Sequence, residues 1–219
     1  MQLKKIIFKD QESVNIFKKE FDIIQSIIDR YLIPFCSTFS IEEEKAKQLL
    51  GELFSDPEIM NYCTIRSIGN LNEMFFLKLK TYEGYAAAPG TILNAAFLYV
   101  LIRYFNLKNV FESGTASGFY STFLLLAVEK NDGHLDTVDL LSGPEVGENI
   151  LHYESTKCLS MYRGQDSLSF LKEKNANGVF YDLYCHDSTH TFSHMFKELN
   201  EFKKCSKDSF FCFFDDQKS

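Results

Sequence analysis

Asn109-Val-Phe-Glu-Ser-Gly-Thr-Ala-Ser-Gly-Phe-Tyr-Ser-Thr-Phe-Leu-Leu-Leu-Ala-Val128 changes character twice along its length. Val110 and Phe111 open a short apolar strand, Gly114 and Gly118 free the backbone for a tight turn, and Ser121 to Val128 runs as a buried helix. Such a turn is a place for a ligand. Glycines let the backbone approach a bound group with no Cβ in the way, and the first N–H groups of the new helix point at whatever polar group sits there.

Two carboxylates narrow the choice of ligand. A dinucleotide fingerprint, G-x-G-x-x-G, sets a pyrophosphate against its glycines and a helix N-terminus. This chain instead has Glu112-x-Gly114-x-x-x-Gly118, with no third glycine and with a carboxylate at the strand end, which speaks against a nicotinamide-dependent oxidoreductase. A fixed negative charge suits a cationic ligand better than a diphosphate. One helix and one strand later, Gly133-His-Leu-Asp-Thr-Val-Asp139 reads as the second strand, ending in an acid able to accept both hydroxyl protons of a ribose. Glu112 beside an ammonium and Asp139 on a ribose together describe S-adenosylmethionine (SAM).

Glu112, Gly114, Gly118 and Ser121, followed by Asp139, resemble the cofactor-binding segment of class I SAM-dependent methyltransferases, with Thr115 inside the same turn. The resemblance extends through Gly164-x-Asp166-Ser167 and Asp182-Leu-Tyr-Cys-His-Asp-Ser-Thr-His190 to Phe213-Phe-Asp-Asp216, roughly the second half of the chain. It implies an α/β, doubly wound, Rossmann-like and mostly parallel sheet with strand order 3-2-1-4-5. It also implies that Asp166 accepts from the adenine amino group with Ser167 nearby, although Asp166 equally suits the cap of a helix from Ser167 to Lys174. The last two segments are similar to the subgroup whose fourth strand ends in D-G-D-H-S-Y, which includes small-molecule and sugar O-methyltransferases.

In metal-dependent members of that group, an acid after the fourth strand and an acid pair after the fifth hold magnesium or a similar ion. The resemblance therefore assigns Asp187, Asp215 and Asp216 as ligands of a divalent cation, which would lower the pKa of the acceptor hydroxyl. Asp187 and His190 are the implied catalytic residues, His190 as general base or further ligand. His186 and His194 read as loop or surface-helix residues. Ser188 and Thr189 stand where the subgroup has Gly and Asp, and the sequence stops at Asp216-Gln-Lys-Ser219 where the family continues into a helix and a closing strand pair. The implied activity is methyl transfer to an oxygen of a small molecule or sugar. The alternative is a binding module that keeps the fold, lacks the C-terminal strands and has lost catalysis.

The remainder of the chain reads as support. Residues 1–80 form an α-helical cap and residues 81–219 the methyltransferase-like domain. Val14, Phe17, Phe21, Ile24, Ile28 and Tyr31 are spaced for one helical face, and Pro34 ends that helix. Ser40-x-x-Glu43 is a capping-box start for a second helix, Asp56-Pro57 caps a short third, and Asn70-x-x-Glu73 opens a fourth. Family members use such helices over the cofactor or in homodimers. A buried helix from about Thr91 to Phe105 precedes the first strand, and the loop from Tyr82 to Thr91 borders the implied pocket. Further elements are expected as a helix around Ile150 to Cys158, a strand at Leu159 to Arg163, a strand at Val179 to Cys185, a helix at Phe192 to Phe202 and a fully buried strand at Ser209 to Phe214.

Composition excludes several classes. At 219 residues, with 45% hydrophobic residues, the chain can bury a large core. A net charge of -7 argues against a nucleic-acid surface, which needs clustered Lys and Arg. The apolar run from Ala86 to Phe105 is broken by Pro89, Gly90, Asn94 and Arg103, so no membrane span is expected. Six scattered cysteines with no C-x-x-C pair and an N-terminus without an apolar h-region point to a reduced, cytoplasmic protein.

Overall fold

The computed structural model describes residues 11–56, 58–60, 62–63, 89–151, 156–189 and 191–215. The chain divides into two compact units, Met1–Val100 and Leu101–Ser219. The fourth helix expected from Asn70 and residues 82–88 of the loop expected from Tyr82 to Thr91 lie outside the described residues, and the rest of that loop, Pro89 to Thr91, is helical.

The first unit is helical. Its first helix, α1 (Gln11–Phe39), runs straight through Pro34. The expectation that this proline ends the helix fails because the apolar row Ile28, Leu32 and Cys36, all buried, straddles it at four-residue spacing. Packing of that row offsets a local penalty of about 3 kcal/mol for an interior proline. Tyr31, assigned to the buried stripe, is 45% exposed. The helix stops where Ser40 turns left-handed at φ 54°, and the Ile41 N–H returns to the Cys36 carbonyl at 2.9 Å. Ser40 is thereby used up as the end of α1. Helix α2 (Glu43–Phe54) starts one residue after Glu42, with no side-chain cap, so the capping box does not form. Asp56 does cap the next turn, its Oδ1 accepting from the Glu58 N–H at 2.8 Å. Phe35 and Phe97 stack at 4.2 Å in this unit. Helix α3 (Pro89–Tyr104) carries the chain into the second unit.

The second unit is a five-stranded parallel sheet in the order β3-β2-β1-β4-β5. Its strands are β1 (Asn109–Ser113), β2 (His134–Asp139), β3 (Leu159–Arg163), β4 (Tyr181–His186) and β5 (Ser206–Phe214). The order is that of a doubly wound α/β fold, and it brings β1 and β4 together at the centre. Helix α4 (Phe119–Glu129) packs on β1 and β2 and is buried from Phe119 to Val128. Helices α5 (Ser167–Ala176) and α6 (Phe192–Phe202) pack side by side. Phe111, Phe170, Tyr181, Tyr184 and Phe202 form an aromatic core, with Phe111 stacked on Phe170 at 5.4 Å and on Tyr184 at 5.5 Å.

Two expectations for this unit change. Of the helix expected around Ile150 to Cys158, residues 152–155 lie outside the described residues; Ile150, Leu151 and residues 156–158 are not helical, and the Leu151 N–H is held by the Thr122 hydroxyl at 3.2 Å. Strand β5 is only half-buried, with Lys207, Asp208 and Ser209 exposed, because it is the outer strand beside β4. All six cysteines are free thiols. No helix among the described residues is long and apolar enough to cross a membrane.

Candidate functional site

The carboxyl ends of β1 and β4 meet at the glycine turn. Ser113 is in register with His186, and the Asp187 N–H continues the pairing by donating to the Ser113 carbonyl at 2.8 Å. Gly114 follows at φ 94°, where a Cβ would lie 2.0 Å from the Asp187 carbonyl oxygen. Only glycine satisfies both the left-handed backbone and that approach. Gly118, the residue before α4, is also left-handed at φ 93°. Between them the Ala116 N–H donates to Asp139 Oδ2 at 2.8 Å, while Asp139 Oδ1 accepts from the Leu141 N–H at 2.8 Å. The second-strand acid thus fixes the turn of the first strand. Each of its oxygens keeps a further lone pair.

Glu112 lies beneath this turn and is 1% exposed. Its Oε2 accepts from the Ser121 hydroxyl at 2.5 Å and the Thr137 hydroxyl at 2.6 Å. Its Oε1 is buried with no hydrogen-bond partner. Burial pushes the carboxyl up to about 7, against the two hydroxyls, which hold it down, and with a small upward push from Asp139. A half-satisfied buried carboxylate of this kind has one oxygen open to a further donor.

The other sequence-predicted residues fall into distinct places. Thr115 is buried and pairs with the Thr137 hydroxyl at 2.7 Å. Ser121 acts through Glu112, the partner of its hydroxyl. Asp166 is the N-cap of α5, its Oδ2 accepting from the Ser169 N–H at 2.8 Å. Ser167 is buried and donates to Glu198. Asp187 and Asp215 stand one residue beyond the ends of neighbouring strands, since His186 is in register with Phe214 and the Asp215 N–H donates to the His186 carbonyl at 3.0 Å. His190 and Asp216 lie outside the described residues. Among the described residues, no group of three His, Cys, Asp or Glu side chains is placed to hold a metal ion.

A second buried carboxylate was not legible in the sequence. Glu198 of α6 is 0% exposed and gathers donors from four elements. Its Oε1 accepts from Ser113 Oγ at 2.7 Å and from Ser167 Oγ, and His194 Nε2 lies 3.2 Å from it. Its Oε2 accepts from Tyr184 Oη at 2.7 Å and His186 Nδ1 at 2.7 Å, with Ser188 Oγ at 3.4 Å. Burial alone would raise its pKa, but the bonds from His186, Ser167, Ser113 and Tyr184 outweigh it and hold the group at about 2. His186 is fully buried, contrary to its reading as a surface residue, because it is the last residue of a central strand. His194 is quarter-exposed at its side chain and sits at four-residue spacing from Glu198 on α6.

No protein-family model and no curated protein matches the chain. Solved structures are similar to it in fold. The O-methyltransferase TomG from Streptomyces achromogenes, involved in tomaymycin synthesis and solved with SAM, matches at a TM-score of 0.48 and 18% identity over 59% of this chain. An O-methyltransferase from Bacillus cereus, solved with SAH, matches at a TM-score of 0.47 and 15% identity over 84% of this chain and 70% of that one. The match spans only 56% of the Streptomyces protein. Likeness at this distance is a likeness of fold.

Proposed function

We propose that the α/β unit binds SAM and transfers its methyl group to an oxygen of a small-molecule acceptor. One observation carries this reading: Glu112, a buried carboxylate with one bare oxygen, lies under a turn whose glycines are left-handed. An ammonium group is the partner such a carboxylate lacks. SAM when bound supplies a methyl group on a positively charged sulfur, which leaves with the electron pair of the broken carbon–sulfur bond. On the protein side, Gly114 and Gly118 keep the turn open, Ser121 and Thr137 fix Glu112, and Thr115 braces Thr137. Asp139 retains lone pairs for the ribose hydroxyls. Asp166 and Ser167 shape the loop after β3, one as a helix cap and the other through Glu198.

Asp187, Asp215 and Asp216 supply oxygen donors for a divalent cation such as magnesium, a reading supported by the adjacent strand ends that carry the first two. The sequence nominates Asp187 and His190 to act on the acceptor. Exposed Tyr31 and Ile33 on α1 support self-association of the helical unit.

Calorimetric titration of SAM into the purified protein, with and without magnesium, tests the reading. Saturable binding is expected, weakened at least tenfold by Glu112→Gln or Asp139→Ala. A folded protein that binds no SAM refutes the assignment, and magnesium titrated into the protein without saturable binding refutes the metal.

A further inference from the structure

Helix α6 has two faces. Glu198 and Phe202 turn inward and are fully buried, whereas Phe192 is 81% exposed and Phe196 56% exposed. Residues four apart on a helix are neighbours, and these two rings stack at 6.0 Å with their planes 17° apart. They stand on the surface as one aromatic ridge. Phe192 directly follows the cap residue Thr191, so the ridge begins beyond the carboxyl end of β4.

The charges around the ridge have one sign. Lys203, seven residues beyond Phe196, continues the same helical stripe into the turn that ends α6, and Lys197 flanks it; both are exposed. Of the acids on α6, Glu198 is enclosed and Glu201 is paired with Lys204 at 2.9 Å. No acid among the described residues pairs with Lys197 or Lys203. In a chain of net charge -7, an exposed face that joins two aromatic rings to two unpaired lysines is an exception. Acids elsewhere act weakly on it, since exposed charges more than about 8 Å apart are largely screened at physiological ionic strength.

Area separates a lipid partner from a protein one. At these exposures the two rings offer about 250 Å² of open apolar surface, against roughly 800 Å² per partner for a stable protein interface. That is too little to hold a second chain. Aromatic rings beside basic side chains instead fit the boundary of a bilayer, where the rings enter the acyl region by about 5 Å and the lysines meet anionic headgroups.

We propose that the exposed face of α6 docks on the surface of an anionic lipid bilayer, with Phe192 and Phe196 inserted and Lys197 and Lys203 on the headgroup charges. Such a contact needs no spanning segment. It is independent of the methyltransferase reading and stands or falls apart from it.

The chain contains no tryptophan, so Phe196→Trp places a single reporter on the ridge. The full chain carrying it is mixed with vesicles of phosphatidylcholine alone, or with about one third phosphatidylserine. A blue shift of the emission, with quenching by bromine-labelled acyl chains, is expected on the phosphatidylserine vesicles alone. Co-sedimentation of the unsubstituted protein with those vesicles should fall at least about tenfold in Phe192→Ser/Phe196→Ser and in Lys197→Gln/Lys203→Gln. All four side chains are exposed, so the thermal melts of both variants should match that of the unsubstituted protein. Unshifted emission on both vesicles, an equal shift on both, or sedimentation that the serine variant leaves intact overturns the proposal. So does a lipid-independent dimer that the serine variant abolishes, which would assign the ridge to a contact between copies.

Discussion

Glu112 and Glu198 are both buried to within 1% of complete enclosure, beside the same strand ends, yet burial drives one up to about 7 and the other is held at about 2. Depth does not separate them. Glu112 receives two hydroxyl bonds on one oxygen and nothing on the other. Glu198 receives donors on both, including the His186 imidazole. Desolvation penalises the ionised form of each, and the number of donors decides which carboxylate stays ionised. A saturated carboxylate stabilises the fold, and an unsaturated one is strained until a ligand completes it.

Truncation should expose this difference most strongly. Glu198→Ala would leave the buried hydroxyls of Tyr184, Ser113 and Ser167 and the His186 N–H without their acceptor, a loss of roughly 3–5 kcal/mol in the unfolding free energy measured by urea titration. Glu112→Gln should act in the opposite direction. The upward shift of Glu112 from 4.5 to about 7 corresponds to up to roughly 3 kcal/mol of stability lost on ionisation, so the variant should be the more stable protein at pH 8. Destabilisation of Glu112→Gln at pH 8 would mean that the carboxylate has a partner.

The two groups also predict opposite pH slopes. Glu112 holds its proton more tightly when folded, so its contribution is complete below about pH 4.5 and declines as pH rises to about 7. Glu198 holds its proton less tightly when folded, so its contribution is complete above about pH 4.5 and declines as pH falls towards 2. Stability curves of wild type and Glu112→Gln should therefore converge near pH 4 and separate by pH 8. A smaller effect is expected from Ser121→Ala, which removes one of the two bonds to Glu112. It should cost about 1–3 kcal/mol at pH 8, where the bond is to a charged group, and less at pH 5. Equal costs at both values would mean that Glu112 does not titrate between them.

What the sequence made legible follows from the range of the forces involved. Strand β3 and helix α6 appear at the positions their local patterns predict, and the parallel order β3-β2-β1-β4-β5 is the one the family resemblance implies. Glu112 and Asp139 stand out in the sequence as carboxylates at strand ends, and the structure sets both against the glycine turn, Glu112 through Ser121 and Asp139 through the Ala116 N–H. Pro34 and Ser40 misled because each obeyed a local rule that packing or a competing helix end overrode. Glu198 was hidden for a different reason. On α6 it reads as one more polar residue of an amphipathic helix, and its partners Ser113 and Ser167 are 85 and 31 residues away in sequence. No local pattern records a contact of that separation.

Glu112, as the receptor of a cationic cofactor, must give up its proton when the cofactor binds, and proton linkage measures that loss. SAM titrations in two buffers of different ionisation enthalpy, at pH 6 and at pH 8.5, measure the protons exchanged on binding. Pairing an ammonium with Glu112 should release about one proton at pH 6, where the carboxyl is largely protonated, but take up a proton at pH 8.5, where Glu112 is already ionised and much of the free ligand's amine is neutral. That release should vanish in Glu112→Gln together with most of the affinity. Binding that releases no proton at pH 6, or that survives the substitution intact, would contradict the account.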